Sequence, residues 1–422
     1  MRANLLFLSG EHIANYLSQI FILIYVAAAI GPESFGVLSF ALLIQNSIHL
    51  LSALNLQRFL IKDLLDRPLH LIFSSILSLR LFALIIVSTL ALVWLHSTTR
   101  PDDQNLIYTA FAISTIFLSY DLFVGYFRYH NDFKISFKIN SVLTFTFIIF
   151  KALAVMFGSL KVLLFVFIFE YFLKFSVHLF VFLSRTSFKY SLKYVSKKYI
   201  KQLFYAGCFI TAGSIFFVFI RRVPPFYLEA NNLAIELGYY LFAFRISELS
   251  TSIIAIFSDA FFPTMSKNYR KNSSKYRNQY VELTSIVFWM AIFIFVIAII
   301  FVEPLLVLFG LESYLDSTKY LYTLLFASIF SSWAFLRASH LTLLQKTASQ
   351  MKITMFSFIA TLISLSLFIS TNNINMIAYS VIVGTFSSAL FFPLFFKETR
   401  EVVFLQVRAL NPFYSYRFLS RK

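Results

Sequence analysis

Cysteine and charged residues are scarce in this 422-residue chain. The single cysteine, Cys208, excludes an intramolecular disulfide and a metal site built from several cysteines. Charged residues make up 13% of the chain, against roughly 25% in soluble domains. Hydrophobic residues reach 59%, and the mean hydropathy is +0.78. This balance excludes an ordinary soluble domain and indicates an integral membrane protein.

Motifs for catalysis and nucleotide binding are missing as well. No G-x-x-x-x-G-K-S/T loop is present, and no soluble segment is large enough to house a nucleotide domain, which argues against direct ATP hydrolysis. The seven histidines are scattered without H-E-x-x-H or a comparable spacing, which argues against a metal enzyme. We therefore expect a protein that is not an enzyme and has no cofactor and no metal site.

Most of the charged residues are basic: the chain has 36 Lys and Arg against 19 Asp and Glu, and its formal net charge is +17. Nearly all exposed cations fall on every second connection between the apolar runs and on the C-terminal tail. They are Arg58, Lys62, Arg67; Arg128, Lys134, Lys138; Arg185, Lys189, Lys193, Lys197, Lys198, Lys201; Lys267, Arg270, Lys271, Lys275, Arg277; Lys346, Lys352; and Lys397, Arg400, Arg408, Arg417, Arg421, Lys422. Basic short loops stay in the cytoplasm, so the alternation predicts cytoplasmic N and C termini. It also assigns the charge to anionic membrane lipids and not to nucleic acid.

The apolar runs predict an all-α integral membrane fold with about 12 transmembrane helices, since each run is near the roughly 20 residues that cross a bilayer. They cover residues 5–30, 37–57, 69–95, 104–127, 137–157, 160–183, 204–228, 236–262, 283–309, 314–340, 351–370 and 374–396. The first run has no short apolar core followed by a small-residue cleavage site, so we expect it to remain as a membrane helix.

The longest basic connection divides these helices into two lobes. We expect a six-helix lobe at 1–184, a basic cytoplasmic linker at 185–203, a second six-helix lobe at 204–396 and a basic cytoplasmic tail at 397–422. An even number of helices per lobe predicts a parallel pseudo-repeat, and residues 36–44 and 238–246 share Gly, Phe, Ala and Ile at matching positions. The mixture of aromatic and basic residues favours a helix along the headgroups for the linker, and the tail has a similar mixture; a solvated linker or a frayed end is the alternative.

Charged residues within the spans indicate where a functional site lies, because each costs about 2.5–3.5 kcal/mol to insert near a helix centre. Arg221 and Arg222 are consecutive and therefore about 100° apart around a helix, so at least one faces protein or water. Pro224 and Pro225 follow them and can bend or unwind the helix at this point.

Three further charges fall near one face of the next helix: Arg245, Glu248 and Asp259. Together with Arg221 and Arg222 they predict a basic, hydrated wall suited to a pyrophosphate or an acidic sugar. The alternative is a local Arg245–Glu248 pair with Arg221 extending outward. Glu248 and Asp259 are also candidates for binding a coupling ion, H⁺ or Na⁺.

The first lobe offers a second set of polar residues. Glu170 and Lys174 are four residues apart and predict a structural ion pair, although Lys174 could share anion binding and Glu170 could bind the coupling ion. Arg80 is a lone candidate for a cavity residue. Gln45 and His49 could hydrogen-bond sugar hydroxyls or hold helices together.

Several stretches resemble a known family. Residues 29–41, AIGPESFGVLSFA, follow a first run that contains Gly10, Asn15 and Gln19, and they resemble the opening of polysaccharide flippases in the multidrug/oligosaccharidyl-lipid/polysaccharide (MOP) exporter superfamily. Residues 237–246, LGYYLFAFRI, and 262–266, FPTMS, are similar to the eighth helix of that family and the turn after it. Residues 303–310, EPLLVLFG, with Tyr314 and Ser317, resemble its ninth-to-tenth connection.

The resemblance implies a flippase in a bacterial inner membrane that moves a polyprenyl-pyrophosphate-linked oligosaccharide, an O-antigen or related surface-polysaccharide repeat, to the outer leaflet. A polysaccharide polymerase is an expected partner of such a flippase. Two alternatives stay open. A membrane polymerase would be expected to carry a larger external loop, and a drug antiporter would favour carboxylates in its cavity over the arginines and lysines found here.

Overall fold

All regular elements in the described part of the chain are helices, as the composition predicts. The computed structural model describes residues 16–64, 67–130, 132–186, 188–271, 273–344, 346–371 and 373–419. Within these ranges, nine helical segments are long and apolar enough to cross a membrane by length and composition. The prediction of an all-helical membrane fold is confirmed at this level, whereas the count of twelve spans and the side on which the termini lie stay predictions.

The described helices of the first half begin with α1 at residues 16–21, which a π-helical turn, Ile22–Val26, joins to the next helix. The following ones are α2 (Ala27–Ala53), α3 (Leu56–Asp63), α4 (Leu69–Ser97), α5 (Asp102–Ser114), α6 (Asp121–Tyr129), α7 (Phe133–Met156) and α8 (Leu160–Arg185). A 3-10 turn, Thr115–Tyr120, connects α5 to α6 within one continuous segment.

The helices of the second half include three of 34 or more residues, far longer than a bilayer requires. They are α9 (Lys197–Ala230), α10 (Ala234–Lys271), α11 (Ser273–Leu308), α12 (Thr318–Leu343), α13 (Thr347–Ile369), α14 (Tyr379–Phe386), α15 (Phe392–Phe395), α16 (Lys397–Arg408) and α17 (Phe413–Leu419). The 38 residues of α10 and the 36 of α11 correspond to about 57 and 54 Å at 1.5 Å per residue, against a hydrocarbon core of about 30 Å. Both helices therefore continue past the spans predicted at 236–262 and 283–309.

The chain forms two compact units. One contains the residues up to Thr211 together with Asn232–Gly238, and the other contains Ala212–Asn231 and Tyr239–Lys422. The first unit has an aromatic-rich core around Phe73, Phe123 and Phe182, and the second has a hydrophobic core around Tyr276, Tyr280 and Val287.

Gly31 separates the first two predicted spans. Its backbone angles, φ +73° and ψ 170°, lie outside the helical region within a stretch that is otherwise helical. Glycine reaches positive φ without steric cost, and Pro32 then begins the next helical segment, where its missing N–H leaves no hydrogen bond unmade. The two runs predicted to end near Ile30 and to begin at Val37 thus meet at a glycine break.

The linker and the tail differ from what their composition favours. The described linker residues contain only one short 3-10 turn, Leu192–Tyr194, before α9 begins at Lys197, so a helix along the headgroups does not form there. Burial of Phe188 against the first unit explains this, since a residue anchored in the core holds the segment down. The tail is helical, and the side chains of Val402, Val403 and Leu405 in α16 are buried.

Gly238 lies where two backbones approach closely. A Cβ at Gly238 would overlap the carbonyl oxygen of Pro32, and a Cβ at Gly36 would lie 2.8 Å from the carbonyl oxygen of Ala234. Because these neighbours are backbone atoms, they cannot move aside as a side chain can. Gly36 and Gly238 begin the two stretches that share residues in sequence, and here the need for glycine is steric at both.

We expect Gly238→Val to lower the folded yield and the apparent melting temperature of the purified protein, because its branched side chain would collide with the backbone at Pro32. Gly213→Ala is the matched control. Its new Cβ would lie 3.5 Å from Met351, an ordinary contact, and glycine in a helix costs roughly 0.5–1 kcal/mol relative to alanine. Gly213→Ala should therefore leave the melting temperature unchanged or raise it. Equal melting temperatures for Gly238→Val and the parent protein would contradict this packing.

Arg337 on α12 compensates a break in the last membrane segment. A π-helical turn, Ser387–Phe391, follows α14, and such turns leave backbone carbonyls without their usual helical partners. The fully buried guanidinium of Arg337 donates to the carbonyl oxygens of Ser388 and Ala389, and to Ser388 Oγ at 3.2 Å. Its Nε donates to Gln350 Oε1 at 3.2 Å. No pattern in the sequence pointed to Arg337, and the role that the structure gives it is structural.

Arg337→Ala should destabilise the second unit by about 3 kcal/mol, because several hydrogen bonds from a charged donor are lost at a buried site. The measurement is thermal unfolding of purified protein in one detergent. Lys319→Ala removes a partly exposed cation that pairs with Asp316 at 3.4 Å, and we expect a change of less than about 1 kcal/mol. A similar small effect for both variants would show that Arg337 does not support the π turn.

Candidate functional site

Arg221 on α9 borders a cavity within the second unit. The cavity has a volume of about 200 Å³, well above the roughly 10–15 Å³ that admits one water molecule. It is lined by Phe217, Arg221, Thr251, Ser252, Ile254, Ser331, Ser332 and Phe335. One guanidinium and four hydroxyl groups therefore share a small space between aromatic and aliphatic walls.

The contacts of Arg221 are with neutral groups. Its guanidinium donates to Ser247 Oγ at 2.6 Å and to Thr251 Oγ1 at 3.4 Å, and it lies 5.3 Å from the centre of the Phe244 ring. Its Nε is buried and has no hydrogen-bond partner among the described side chains. Within the described residues no carboxylate reaches Arg221 at ion-pair distance, although the charge of Glu248 acts on it. A buried cation with these surroundings retains capacity for an anionic ligand.

The hydroxyl groups around this cavity can serve as additional donors. Ser331 and Ser332 donate to carbonyl oxygens of their own helix, Ala327 O at 3.1 Å and Ile329 O at 2.6 Å. A serine hydroxyl rotates easily and carries one hydrogen, so it can turn from a carbonyl towards a better acceptor. An anion beside Arg221 could therefore receive hydrogen bonds from several directions.

Arg222, Arg245 and Glu248 extend this positive region. Arg245 pairs with Glu248 across 3.8 Å on the same helix, and both side chains are partly exposed, 25% and 34%. Arg222 lies within electrostatic range of Glu248, Arg245 and Arg221. The local Arg245–Glu248 pair exists together with a buried Arg221. Among the described side chains of this group, three arginines therefore accompany one carboxylate.

The prolines and the aspartate predicted to shape this region need separate comment. Helix α9 continues through Pro224 and Pro225 without interruption, so the prolines do not unwind the helix beside the arginines. The side chain of Asp259 lies outside the described residues. Its predicted part in ion binding therefore stays a prediction.

The first unit contains a buried triad of charges between α7 and α8. Glu170 accepts from Lys151 Nζ and from Lys174 Nζ, each at 2.6 Å, and the three side chains are nearly inaccessible. Lys151 also lies 4.0 Å from the centre of the Phe167 ring. The predicted Glu170–Lys174 pair is present, and the second lysine comes from the neighbouring helix. Sequence spacing could not identify that partner, because it is nineteen residues away.

Arg80, His49 and Asp121 form a second charged group in the first unit. Arg80 is 1% exposed; its Nη2 lies 2.8 Å from His49 Nδ1 and 3.6 Å from Asp121 Oδ2. His49 and Asp121 are partly exposed, 26% and 24%, so the group is reachable from outside the core. Gln45, one turn before His49, instead donates to Ser114 Oγ at 2.8 Å, a contact that holds two helices together. The substrate role predicted for these residues stays a prediction.

Asp121 is a charged site residue that the sequence analysis missed. It sits inside the fourth predicted span, at the first residue of α6, where a carboxylate is costly unless it has a partner. That position alone could have identified it. Its Oδ1 has no hydrogen-bond partner within the described residues.

The charged groups of the described residues do not resemble a metal site. Across the residues with described placement, no cluster of three or more His, Cys, Asp and Glu side chains has metal-binding geometry. The charged groups described above instead combine arginine or lysine with single carboxylates, a composition that suits anions and ion pairs.

The fold is that of a class of multi-pass membrane transporters. A multidrug-resistance MATE transporter of the MOP superfamily in an inward-facing conformation matches with a TM-score of 0.70 and 13% identity, over 94% of this chain and 96% of that one. The lipid II flippase MurJ in an inward closed conformation matches with a TM-score of 0.72 and 14% identity, over 98% of this chain and 93% of that one. An outward-facing MATE transporter gives a TM-score of 0.60 with 14% identity, over 95% and 94%.

The family follows from sequence. The model of the polysaccharide biosynthesis protein family matches residues 1–269, well over half of the 422 residues. The chain therefore belongs to the polysaccharide biosynthesis protein family. The resemblance noted in the sequence is thereby confirmed. No curated protein matches the chain in sequence.

Glu170→Gln should be poorly tolerated, because it leaves two buried lysines facing one another without a carboxylate; removing one partner of a buried ion pair costs about 3–5 kcal/mol. We expect a strong loss of folded protein, measured by size-exclusion chromatography in detergent. The triple variant Lys151→Met, Glu170→Leu, Lys174→Met removes all three charges and should recover folded protein. A folded Glu170→Gln protein with normal melting behaviour would show that the triad is not needed for stability.

Proposed function

We propose that this transporter moves a polyprenyl-pyrophosphate-linked oligosaccharide, an O-antigen or related surface-polysaccharide repeat, from the cytoplasmic to the outer leaflet of a bacterial inner membrane. The observation that carries the proposal is the excess of positive charge around Arg221, where three arginines accompany Glu248. A pyrophosphate is a multivalent anion, and arginine presents several donors to phosphate oxygens. Membership of a polysaccharide biosynthesis family supports the sugar part of the substrate.

The mechanism that we propose is alternating access across twelve spanning helices with cytoplasmic termini. The helical lobes rock about a bound headgroup, while the polyprenyl tail stays in the lipid. The residues that we assign to the headgroup are Arg221, Arg222 and Arg245, whereas Lys174, Arg80, Gln45 and His49 in the first unit stay candidates from the sequence. Glu170, Glu248 and Asp259 remain candidates for a coupling ion, H⁺ or Na⁺.

Membrane potential could supply direction without a nucleotide. Moving a headgroup of charge about −2 outward from a negative cytoplasm releases on the order of 4.6 kcal/mol per 100 mV. Flipping rates in liposomes should therefore change with an imposed potential. A rate that is independent of voltage but follows a proton or sodium gradient would replace this driving force with ion coupling.

A drug-antiporter function has weaker support from the charges. A site for cationic drugs needs carboxylates that are not already committed to internal cations. Glu170 holds two lysines and Glu248 pairs with Arg245. A membrane polymerase is the other alternative, and lipid analysis separates it from a flippase.

Deleting the gene should trap single completed lipid-linked repeats on the inner leaflet. Loss of a polymerase would instead leave single units on the outer leaflet. The measurement is extraction of lipid-linked sugars together with a test of their accessibility from outside intact cells.

Arg221→Ala should reproduce the deletion phenotype at normal protein level, with transport reduced by about tenfold or more, since a charge-assisted hydrogen bond is worth about 1.5–3 kcal/mol. Arg221→Lys retains the charge but loses the fork of donors and should be intermediate. Arg185→Ala is the control, because Arg185 forms a half-exposed pair with Asp132 at 3.0 Å. Normal surface polysaccharide in Arg221→Ala, Arg222→Ala and Arg245→Ala cells would contradict the site assignment.

A further inference from the structure

The connection from α8 to α9 exposes five lysines. They are Lys189, Lys193, Lys197, Lys198 and Lys201, and we call them the linker lysine surface. Among the described residues, none of the ion pairs involves their ammonium groups. Five unneutralised charges on so short a segment repel one another, so an anionic partner would stabilise them.

The backbone that carries these lysines is anchored to the first unit. Phe188 is buried, with its ring centre 5.1 Å from that of Phe73 and 5.6 Å from that of Phe182. The backbone N–H of Ser196 donates to Ser75 Oγ at 3.1 Å. These contacts fix both sides of the exposed segment, so its lysines do not belong to a freely moving loop.

Tyr199 adds a third anchor within the same segment. Its hydroxyl donates to Asp63 Oδ2 at 2.6 Å, and the Arg67 guanidinium lies 4.5 Å from the centre of its ring. Burial, together with the hydrogen bond to Asp63, raises the pKa of Tyr199, so the phenol stays a neutral donor even above the pH at which a free tyrosine ionises. The anchor therefore holds the beginning of α9, where Lys197 and Lys198 lie.

The exposed side chains around the surface are those of a membrane interface. Tyr190 and Tyr194 are 46% and 50% exposed, and Phe204 and Tyr205 are 45% and 59% exposed. Tyrosine is enriched at headgroup level. Lys201 precedes Phe204 by three residues, about 4.5 Å along the axis, so the two side chains are neighbours on the helix.

We propose that the linker lysine surface binds anionic phospholipid headgroups of the cytoplasmic leaflet. The side of the membrane comes from the positive-inside pattern of the connections. Charge complementarity favours an anionic lipid, and the anchored backbone lowers the ordering cost of binding. The surface is separate from the charged groups assigned to transport, so the inference does not depend on which sugar is carried.

The test compares binding of phosphatidylglycerol and phosphatidylcholine to the purified full-length protein in detergent, measured by native mass spectrometry and by thermal unfolding. We expect phosphatidylglycerol to bind more tightly and to raise the melting temperature more. Lys197→Gln/Lys198→Gln should weaken phosphatidylglycerol binding by about fivefold per lysine, which corresponds to about 1 kcal/mol each. Phosphatidylcholine binding should not change.

The matched control changes the same number of charges elsewhere. Lys161→Gln/Lys319→Gln removes two lysines that pair with Asp103 and Asp316, and it should leave phosphatidylglycerol binding unchanged. Phe188→Ala keeps all five lysines but releases an anchor, so it should weaken binding of the anionic lipid only.

Three outcomes would overturn the proposal. One is equal binding of the two lipids by the parent protein, and another is an equal loss in the control variant. The third is a lysine variant that binds phosphatidylglycerol normally yet loses an acidic protein that copurifies with the parent, which would assign the surface to a protein partner. Transport can fail or persist independently of all three.

Discussion

The cost of placing charge in a membrane interior governs the arrangement of this protein. Glu170 joins Lys151 and Lys174, and Arg337 meets the carbonyls that a π turn releases. In these cases the partner removes most of the cost, and the charge becomes part of the framework. Arg221 differs because its described contacts are neutral hydroxyls and an aromatic ring beside a cavity. The distinction between satisfied and incompletely satisfied cations is what separates structural charges from those assigned to the substrate.

Position along the membrane normal explains why similar charges have different roles. The lysines at 189–201 are exposed next to exposed tyrosines, where water can solvate them. Lys151 and Lys174 lie within membrane segments and are almost inaccessible, so they require a carboxylate. The lipid-linked anion that we propose as the substrate would need both environments. The headgroup must remain solvated by protein during passage, while the protein keeps its orientation in the bilayer.

Sequence patterns predicted the helices better than their ends or their partners. Hydropathy did not predict that α10 and α11 extend beyond their spans, because it marks where a helix enters lipid and not where the helix stops. The linker composition favoured an interfacial helix, yet Phe188 has a place in the first unit's core and the segment is held there. Asp121 was visible as an acid within a span, but its pairing with Arg80 joins residues 41 positions apart, beyond any periodic pattern.

The sequence by itself determined the membrane class, the helical segments, the family and the alternation of basic connections. Hydrophobic length and loop charge are local properties, and they set the free energy of membrane insertion directly. Only the tertiary structure decided which charges neutralise one another. It paired Glu170 with a lysine from another helix, gave Arg337 a backbone role and left Arg221 beside a hydroxyl-lined cavity. The reason is geometric: partner choice depends on which helix faces meet, and that is settled by packing between segments distant in the chain.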